Sequence, residues 1–384
     1  MATTAGRPPL WRDVRALAWA FQLLVVAAVV AVVWWLTNNY RTNTSRQGIA
    51  TDWAFLDQPA QFPIANSTFR QTQPVKDAVV IGLANTLRLS ITGIVLATIF
   101  GTMIGVARLS KNFLVRSAAR AYVEFVRNVP LLVLLVLIYL GVVQNAFPRP
   151  TESWVLGPIA VINVRGANAI WYEGANWRAA IAVGVAILAG LVVARSRASY
   201  ADRTGRPARA GGWGVLVSVV VLVGAWIVLG LGVTAPELDG TRVTGGINMT
   251  AAYFASLLAL VMYTASHIAE IVRGSIQAVP KGQGEAADAL ALSGFQRLRY
   301  VVLPQALRIG VPPIGNQYLN LAKNSSLAAV ITFPELTQIT KLTVASGAPA
   351  VPAYTILLGI YLVISLLISL VVNLINRRLA IVER

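Results

Sequence analysis

Apolar residues gather into eight long runs, at about 17–36, 84–107, 121–145, 178–194, 213–233, 250–274, 310–332 and 353–375. Crossing the hydrocarbon of a bilayer takes roughly 17–25 residues of apolar helix, so each run predicts one membrane span. The first run follows Arg7, Arg12 and Arg15 in the manner of a signal peptide, but no A-x-A-like site comes after it. It reads as an uncleaved first span. The pattern predicts an all-α, polytopic membrane protein with about eight transmembrane helices.

Polar positions inside the runs carry the next layer of information. In the second, Gly93, Gly101 and Gly105 lie eight and four positions apart, which puts small residues on one stripe for close helix contact. In the third, Glu124 and Arg127 are three apart and can pair on one helix face; a salt bridge at the interface is preferred to a gating role. The sixth brings Tyr263, Thr264, Ser266, His267 and Glu270 into the membrane, with Arg273 at its inner end. Ionisable groups there are costly and face a bundle interior or a wet cavity. Glu270 and Arg273 can pair locally with His267 on the same face, and a satisfied polar cluster and a substrate path have equal weight.

The seventh run is interrupted at Pro312-Pro313 and continues with Asn316, Asn320 and Asn324, one every four residues. Gln317, Tyr318, Lys323, Ser325 and Ser326 lie nearby. This stripe is too polar for a lipid-facing helix, since every group needs a partner. Lys323 meets either Glu270 or a substrate carboxylate, with pairing slightly ahead.

Between the sixth and seventh runs, 266–308 reads SHIAEIVRGSIQAVPKGQGEAADALALSGFQRLRYVVLPQALR. Pro280 ends the preceding helix, and Gly282 and Gly284 give a tight turn. A short helix is expected from Glu285 to Leu292, its acidic first turn (Glu285, Asp288) suiting the positive end of the helix dipole. Ala286, Ala287 and Leu290 form a small apolar face, and Ser293-Gly294 is the expected stop. A second short piece follows over 295–303, before Pro304. Two short helices at a membrane surface look like a docking element for another protein.

Composition agrees with a membrane protein: of 384 residues, 56% are hydrophobic and 12% charged, about half the charge of a soluble domain. The net charge is +17. Its basic residues lie between apolar runs, so topology explains them better than nucleic acid does. With the N-terminus inside, Arg108, Lys111, Arg116 and Arg120, the arginines of 195–209, and Arg273, Lys281, Arg297, Arg299 and Arg308 all fall on the cytoplasmic side, as do Arg377, Arg378 and Arg384. Both termini are therefore expected in the cytoplasm. No cysteine is present and His267 is the one histidine, which excludes thiolate chemistry, cysteine-based metal sites and a histidine cluster. The absence of GxxxxGK[ST] means that any ATP hydrolysis comes from another chain. The segment SRASYADRTGRPARAGG, between the fourth and fifth runs, is small, polar and basic and is expected to be disordered. The polar segment 37–83 is expected outside, with Trp53, Phe55 and Phe62 as interface anchors.

Glu285-Ala286-Ala287, with Leu303-Pro304 farther on, resembles the EAA loop of the permease subunits of ABC importers. The flanking IAEIVRG, LPQALR and KNSSL resemble the polar amino acid branch, nearest to general L-amino acid permeases. Ala291 stands where that family usually has Gly, and Val301 where it has Ile. The block usually written Lys-Asp-Thr-Ser-Leu is here Lys323-Asn324-Ser325-Ser326-Leu327. The resemblance covers about 76–135 and 245–380.

It implies a type I importer transmembrane fold. Residues 1–75 would be an N-terminal cytoplasmic segment, an extra span and an external loop. The domain at 76–380 would comprise a five-span core (80–145 and 250–376), with a loop and two-span hairpin inserted at 146–249. The coupling loop would be 281–304, with Gly284, Glu285, Ala286, Ala287, Asp288, Ala291, Leu303 and Pro304 seated in a partner ATPase. His267, Glu270, Asn320, Lys323, Asn324 and Ser325 are the candidate substrate path, and Glu124, Arg127, Glu270 and Arg273 the candidate inner salt bridges. No metal and no cofactor is expected on this chain, ATP and Mg being held by the ATPase dimer. A second permease subunit and an extracytoplasmic amino acid-binding protein complete the expected assembly in the plasma (inner) membrane. For 37–83, a loop on the membrane surface is preferred to a contact for that binding protein. The rival readings are a secondary transporter or channel, against which the scarcity of acids beyond Glu124 and Glu270 speaks, and a membrane scaffold, against which the polar stripe speaks.

Overall fold

The computed structural model describes residues 13–48, 51–204 and 209–379. It is mainly helical. The order is α1 (Val14–Gln47), α2 (Val75–Ala107), α3 (Phe113–Asn128), α4 (Leu131–Val136, continued by a π-helical stretch Leu137–Gln144), α5 (Asn176–Thr204), α6 (Ala210–Val228) and α7 (Ala251–Gln277). Then come α8 (Lys281–Ala289), α9 (Gly294–Arg297), a π-helical turn Leu298–Val302, α10 (Leu303–Asn324), a 3-10 stretch Ser325–Ile331, α11 (Leu336–Ala345) and α12 (Ala350–Leu379).

Among the described residues six helices are long and apolar enough to cross a membrane, or seven if the bent pair α3–α4 counts as one span. That pair turns by 106° at Val129-Pro130. Val129 is extended there (φ −94°, ψ 127°), because a proline disfavours helical geometry in the residue before it. The run expected at 310–332 is shared between α10 and the 3-10 stretch, and its polar stripe keeps it out of that apolar set. α10 itself passes through Pro312 and Pro313 without a break, contrary to the interruption expected there. Close packing on both sides holds it: a Cβ on Gly310 would lie 2.9 Å from Ser275 Oγ, and one on Gly315 would lie 2.3 Å from Val372 Cγ1.

The small stripe of α2 makes close helix contacts, Gly101 and Gly105 against α7 and Gly93 against Leu321 of α10. At Gly101 a Cβ would sit 2.7 Å from Ile268 Cβ, and at Gly105 2.8 Å from the Ala269 carbonyl oxygen. Only glycine lets the two backbones approach this closely. Around this contact Leu89, Val126, Leu131, Leu134, Leu257 and Leu260 form the main core. Residues 51–74 fold over one end of the bundle, where Phe55 and Phe62 are buried with Val75, Ala78, Ile339 and Ala353. Of the three expected surface anchors Trp53 alone is exposed, since the loop uses its aromatic rings as a core of its own.

The inserted region adds short strands to the helical pattern. β1 (Trp154–Leu156), β2 (Ala160–Asn163), β3 (Gly166–Ala169) and, after β4 (Trp171–Glu173), β5 (Gly232–Thr234), β6 (Glu237–Asp239) and β7 (Arg242–Thr244), β8 (Ile247–Thr250) make one antiparallel sheet ordered β1-β2-β3-β8 and two small pairs. Strands of three or four residues are too short for alternation to register in a sequence. α5 and α6 pack on each other. α5 runs on as helix through Thr204, so most of the basic segment expected to be disordered is ordered; 205–208 lie outside the described residues. Its alanines and arginines are good helix formers.

Candidate functional site

The α8–α9 element begins four residues earlier than expected. α8 starts at Lys281, right after Pro280, so Gly282 and Gly284 lie inside the helix and Glu285 falls in its second turn. The first four N–H groups of a helix need no intrahelical partner, so glycine and the preceding proline are tolerated there. α8 closes with a left-handed residue, Ala291 (φ 53°). The Leu292 N–H donates to the Ala287 carbonyl (3.1 Å) and the Ala291 N–H to that of Asp288 (2.9 Å), which is the paired bonding of a Schellman ending. Ala291 thus makes the bend that glycine usually makes.

Ser293 is not a stop. It caps α9: its hydroxyl accepts from the Gln296 N–H and its own N–H donates to the Gln296 side chain, a reciprocal capping box. Arg297 Nη1 donates to both oxygens of Asp288 at 2.9 Å and ties α9 back to α8, a link missed in the sequence because the pair is nine residues apart. Ala287 is buried, whereas Glu285, Ala286, Leu290 and Phe295 face solvent, the last two at 74% and 69% exposure. Leu303 is exposed and Pro304 half-buried at the start of α10. Gln305 donates to Gln283 at 3.3 Å.

At the same end of the bundle, Glu270 of α7 collects three guanidinium groups. Arg108 at the end of α2 and Arg273 one turn on in α7 both donate to it, and Arg127 of α3 stands 4.0 Å away. The expected Glu270–Arg273 pair is present, but Arg127 turns to Glu270, and Glu124 forms no ion pair among the described residues. Lys323 does not pair with Glu270 either; arginines closer to the bundle end have taken it. Sequence spacing could not find Arg108, which comes from another helix.

The remaining candidates divide in two. His267 Nδ1 lies 3.0 Å from the Tyr263 carbonyl oxygen, and the two rings meet at a tilt with centroids 4.6 Å apart, so its polar contact is local. On α10, Asn316, Asn320 and Lys323 form an exposed row, with Gly315, Leu321 and Ala322 buried opposite. Asn324 is half-buried, and Ser325 is fully buried with its hydroxyl on the Ala322 carbonyl (2.7 Å). No hydrogen bond or ion pair among the described residues joins this row to His267 or Glu270. Another acid missed in the sequence, Glu335, is buried. It caps α11 through the Gln338 N–H (2.8 Å) and accepts from the Tyr361 hydroxyl (2.9 Å), joining α11 to α12.

Residues 93–381 match the family model described as binding-protein-dependent transport system inner membrane component. The chain belongs to that family. A putative amino-acid ABC transporter permease protein, YhdX of Escherichia coli (strain K12), is 39% identical over 376 residues, covering 96% of this chain and 95% of the relative. The general L-amino acid transport system permease protein AapQ of Rhizobium johnstonii (strain DSM 114642 / LMG 32736 / 3841) is 38% identical over 375 residues, covering 95% and 92%. A crystal structure of an amino acid ABC transporter with histidines aligns at a TM-score of 0.47 and 22% identity, covering 79% of this chain and 94% of that one. As a member of the family, the chain is a multi-pass membrane protein of the ABC transport permease type.

Proposed function

We propose that the chain is the permease subunit of an ATP-driven importer that carries polar or general L-amino acids across the plasma membrane by alternating access. The observation that carries this reading is the α8–α9 element. It is held in shape by the Ala291 bend, the Ser293 cap and the Asp288–Arg297 bridge, and it leaves Leu290 and Phe295 uncovered by the described residues. An exposed apolar surface on a rigid, polar-rimmed element is a protein docking site, and a partner ATPase dimer is the occupant that the family match favours. Gly284, Glu285, Ala286, Asp288, Ala291, Leu303 and Pro304 then form the coupling surface, with Ala287 packed behind it, on the cytoplasmic side with both termini. The ATPase chains hold ATP and Mg.

In this account closure of the ATPases moves the α8–α9 element, and α10 follows because it continues from α9 through one π-helical turn. The exposed row of Asn316, Asn320 and Lys323 faces a second permease subunit, identical or related, across a shared path. Such a row is tolerable only against a cavity or a subunit. The names of the relatives support amino acids as cargo, delivered by an extracytoplasmic binding protein.

Glu285→Lys tests the coupling. Reversing an exposed charge on α8 leaves the fold intact, so the variant should insert normally while losing ATPase copurification and ATP-driven uptake. Wild-type values for both would remove the docking role.

A further inference from the structure

At the end of the bundle away from the coupling element, a cavity of about 640 Å³ opens between α2, the start of α7 and the strands of the inserted region. Asn85, Arg88, Arg165, Asn248, Tyr253 and Phe333 are among its walls, and no aspartate or glutamate among the described residues lines it. Arg88 lies within the run 84–107, so a permanent positive charge sits in a membrane span. Such a charge is expensive and is kept where it faces water and has a task. Its guanidinium rests 4.6 Å over the Tyr253 ring and makes one long hydrogen bond, 3.5 Å, to the Asn248 carbonyl. Arg165 donates to the Thr241 carbonyl at 3.2 Å. Neither has a carboxylate partner among the described residues. Asn85 donates to the Pro334 carbonyl (2.9 Å), which leaves its amide oxygen as an acceptor beside Arg88 on the same helix.

A guanidinium carries five N–H donors in a planar fork that suits a carboxylate. The ring under Arg88 holds the fork in place without neutralising it. We propose that this cavity is an outer recognition site for the carboxylate of a free amino acid, taken by Arg88 with Arg165, which also lines it, and that it disfavours cationic side chains. The inference rests on the importer reading and deepens it by naming a substrate class: acidic and neutral amino acids enter, and basic ones are repelled by two uncompensated cations.

The test is saturation-transfer NMR on the purified full chain in nanodiscs, with L-glutamate, L-glutamine and L-lysine as probes. Glutamate and glutamine should give transfer signals, and lysine a signal at least about tenfold weaker, the size of one charge-assisted contact. Arg88→Gln should remove the glutamate signal, Arg88→Lys should keep part of it, and Arg165→Gln should weaken it with an unchanged elution profile. Equal signals from lysine and glutamate, or an unchanged signal in Arg88→Gln, would overturn the proposal. If Arg88→Gln instead weakens the binding protein's hold while glutamate still binds, the arginine serves that partner's carboxylate and the proposal falls. The NMR arm needs no ATPase, so failure of ATP-driven uptake by the wild type would count against the importer reading alone.

Discussion

Replacing Glu270 by Gln removes the one carboxylate among three guanidinium groups. Arg108, whose side chain is 10% exposed, then stays at the α2–α7 contact without a counter-charge; Glu270 and Arg273 are each 28% exposed. Deleting one partner of a fully buried pair costs about 3–5 kcal/mol. Partial exposure lowers that, and about 2 kcal/mol is expected here. Arg273→Gln is different, because Arg108 and Arg127 still hold the carboxylate, and it should cost at most about 1 kcal/mol. The double change Glu270→Gln with Arg108→Gln should recover about 1 kcal/mol against the sum of the singles, since contacting residues are not additive. The assay is thermal unfolding of the purified chain in detergent, followed by tryptophan fluorescence, for the three singles and the double. Equal losses from Glu270→Gln and Arg273→Gln, or strict additivity in the double, would refute the shared-carboxylate reasoning.

Ala291 holds a left-handed conformation that costs a non-glycine residue roughly 1–2 kcal/mol, partly offset by the smaller entropy of the unfolded alanine chain. Ala291→Gly should therefore stabilise the end of α8 by about 0.5 kcal/mol, and Ala291→Val should destabilise it. Amide exchange at Leu292, whose N–H closes the turn, checks both. Lys323→Met should leave expression and assembly at wild-type levels, because Lys323 has no ion pair to lose among the described residues, while reducing uptake to different extents for amino acids of different side-chain charge. Loss of expression would mean that Lys323 is structural.

The sequence announced most of the bundle because its signals are local. Apolar run length marks a span, and glycines at Gly101 and Gly105 mark a contact face. It misplaced features decided by neighbours or by single residues. Pro130 splits the third run into two helices, whereas Pro312 and Pro313 leave α10 whole under the packing of Ser275 and Val372. The same letters thus read differently in different surroundings. The capping role of Ser293 was legible in principle, since Gln296 follows it by three positions in the capping-box spacing. Arg88 carried a signal too, as an arginine inside an apolar run. Its cavity was not visible, because Arg165 arrives on the turn between β2 and β3 and Asn248 on β8, strands too short to recognise. The ion pairs of Glu270 were hidden for a similar reason: Arg108 and Arg127 belong to other helices, and spacing along one helix cannot rank them against Lys323.

The central claim is that this chain is a path powered by ATP through partner subunits. Its most direct test is uptake of a panel of labelled L-amino acids into proteoliposomes holding the chain with its ATPase and binding protein. Uptake should require both the binding protein outside and ATP on the ATPase side, and should not respond to a proton or sodium gradient. Uptake without ATP that follows an imposed ion gradient would contradict the account and assign the chain to secondary transport.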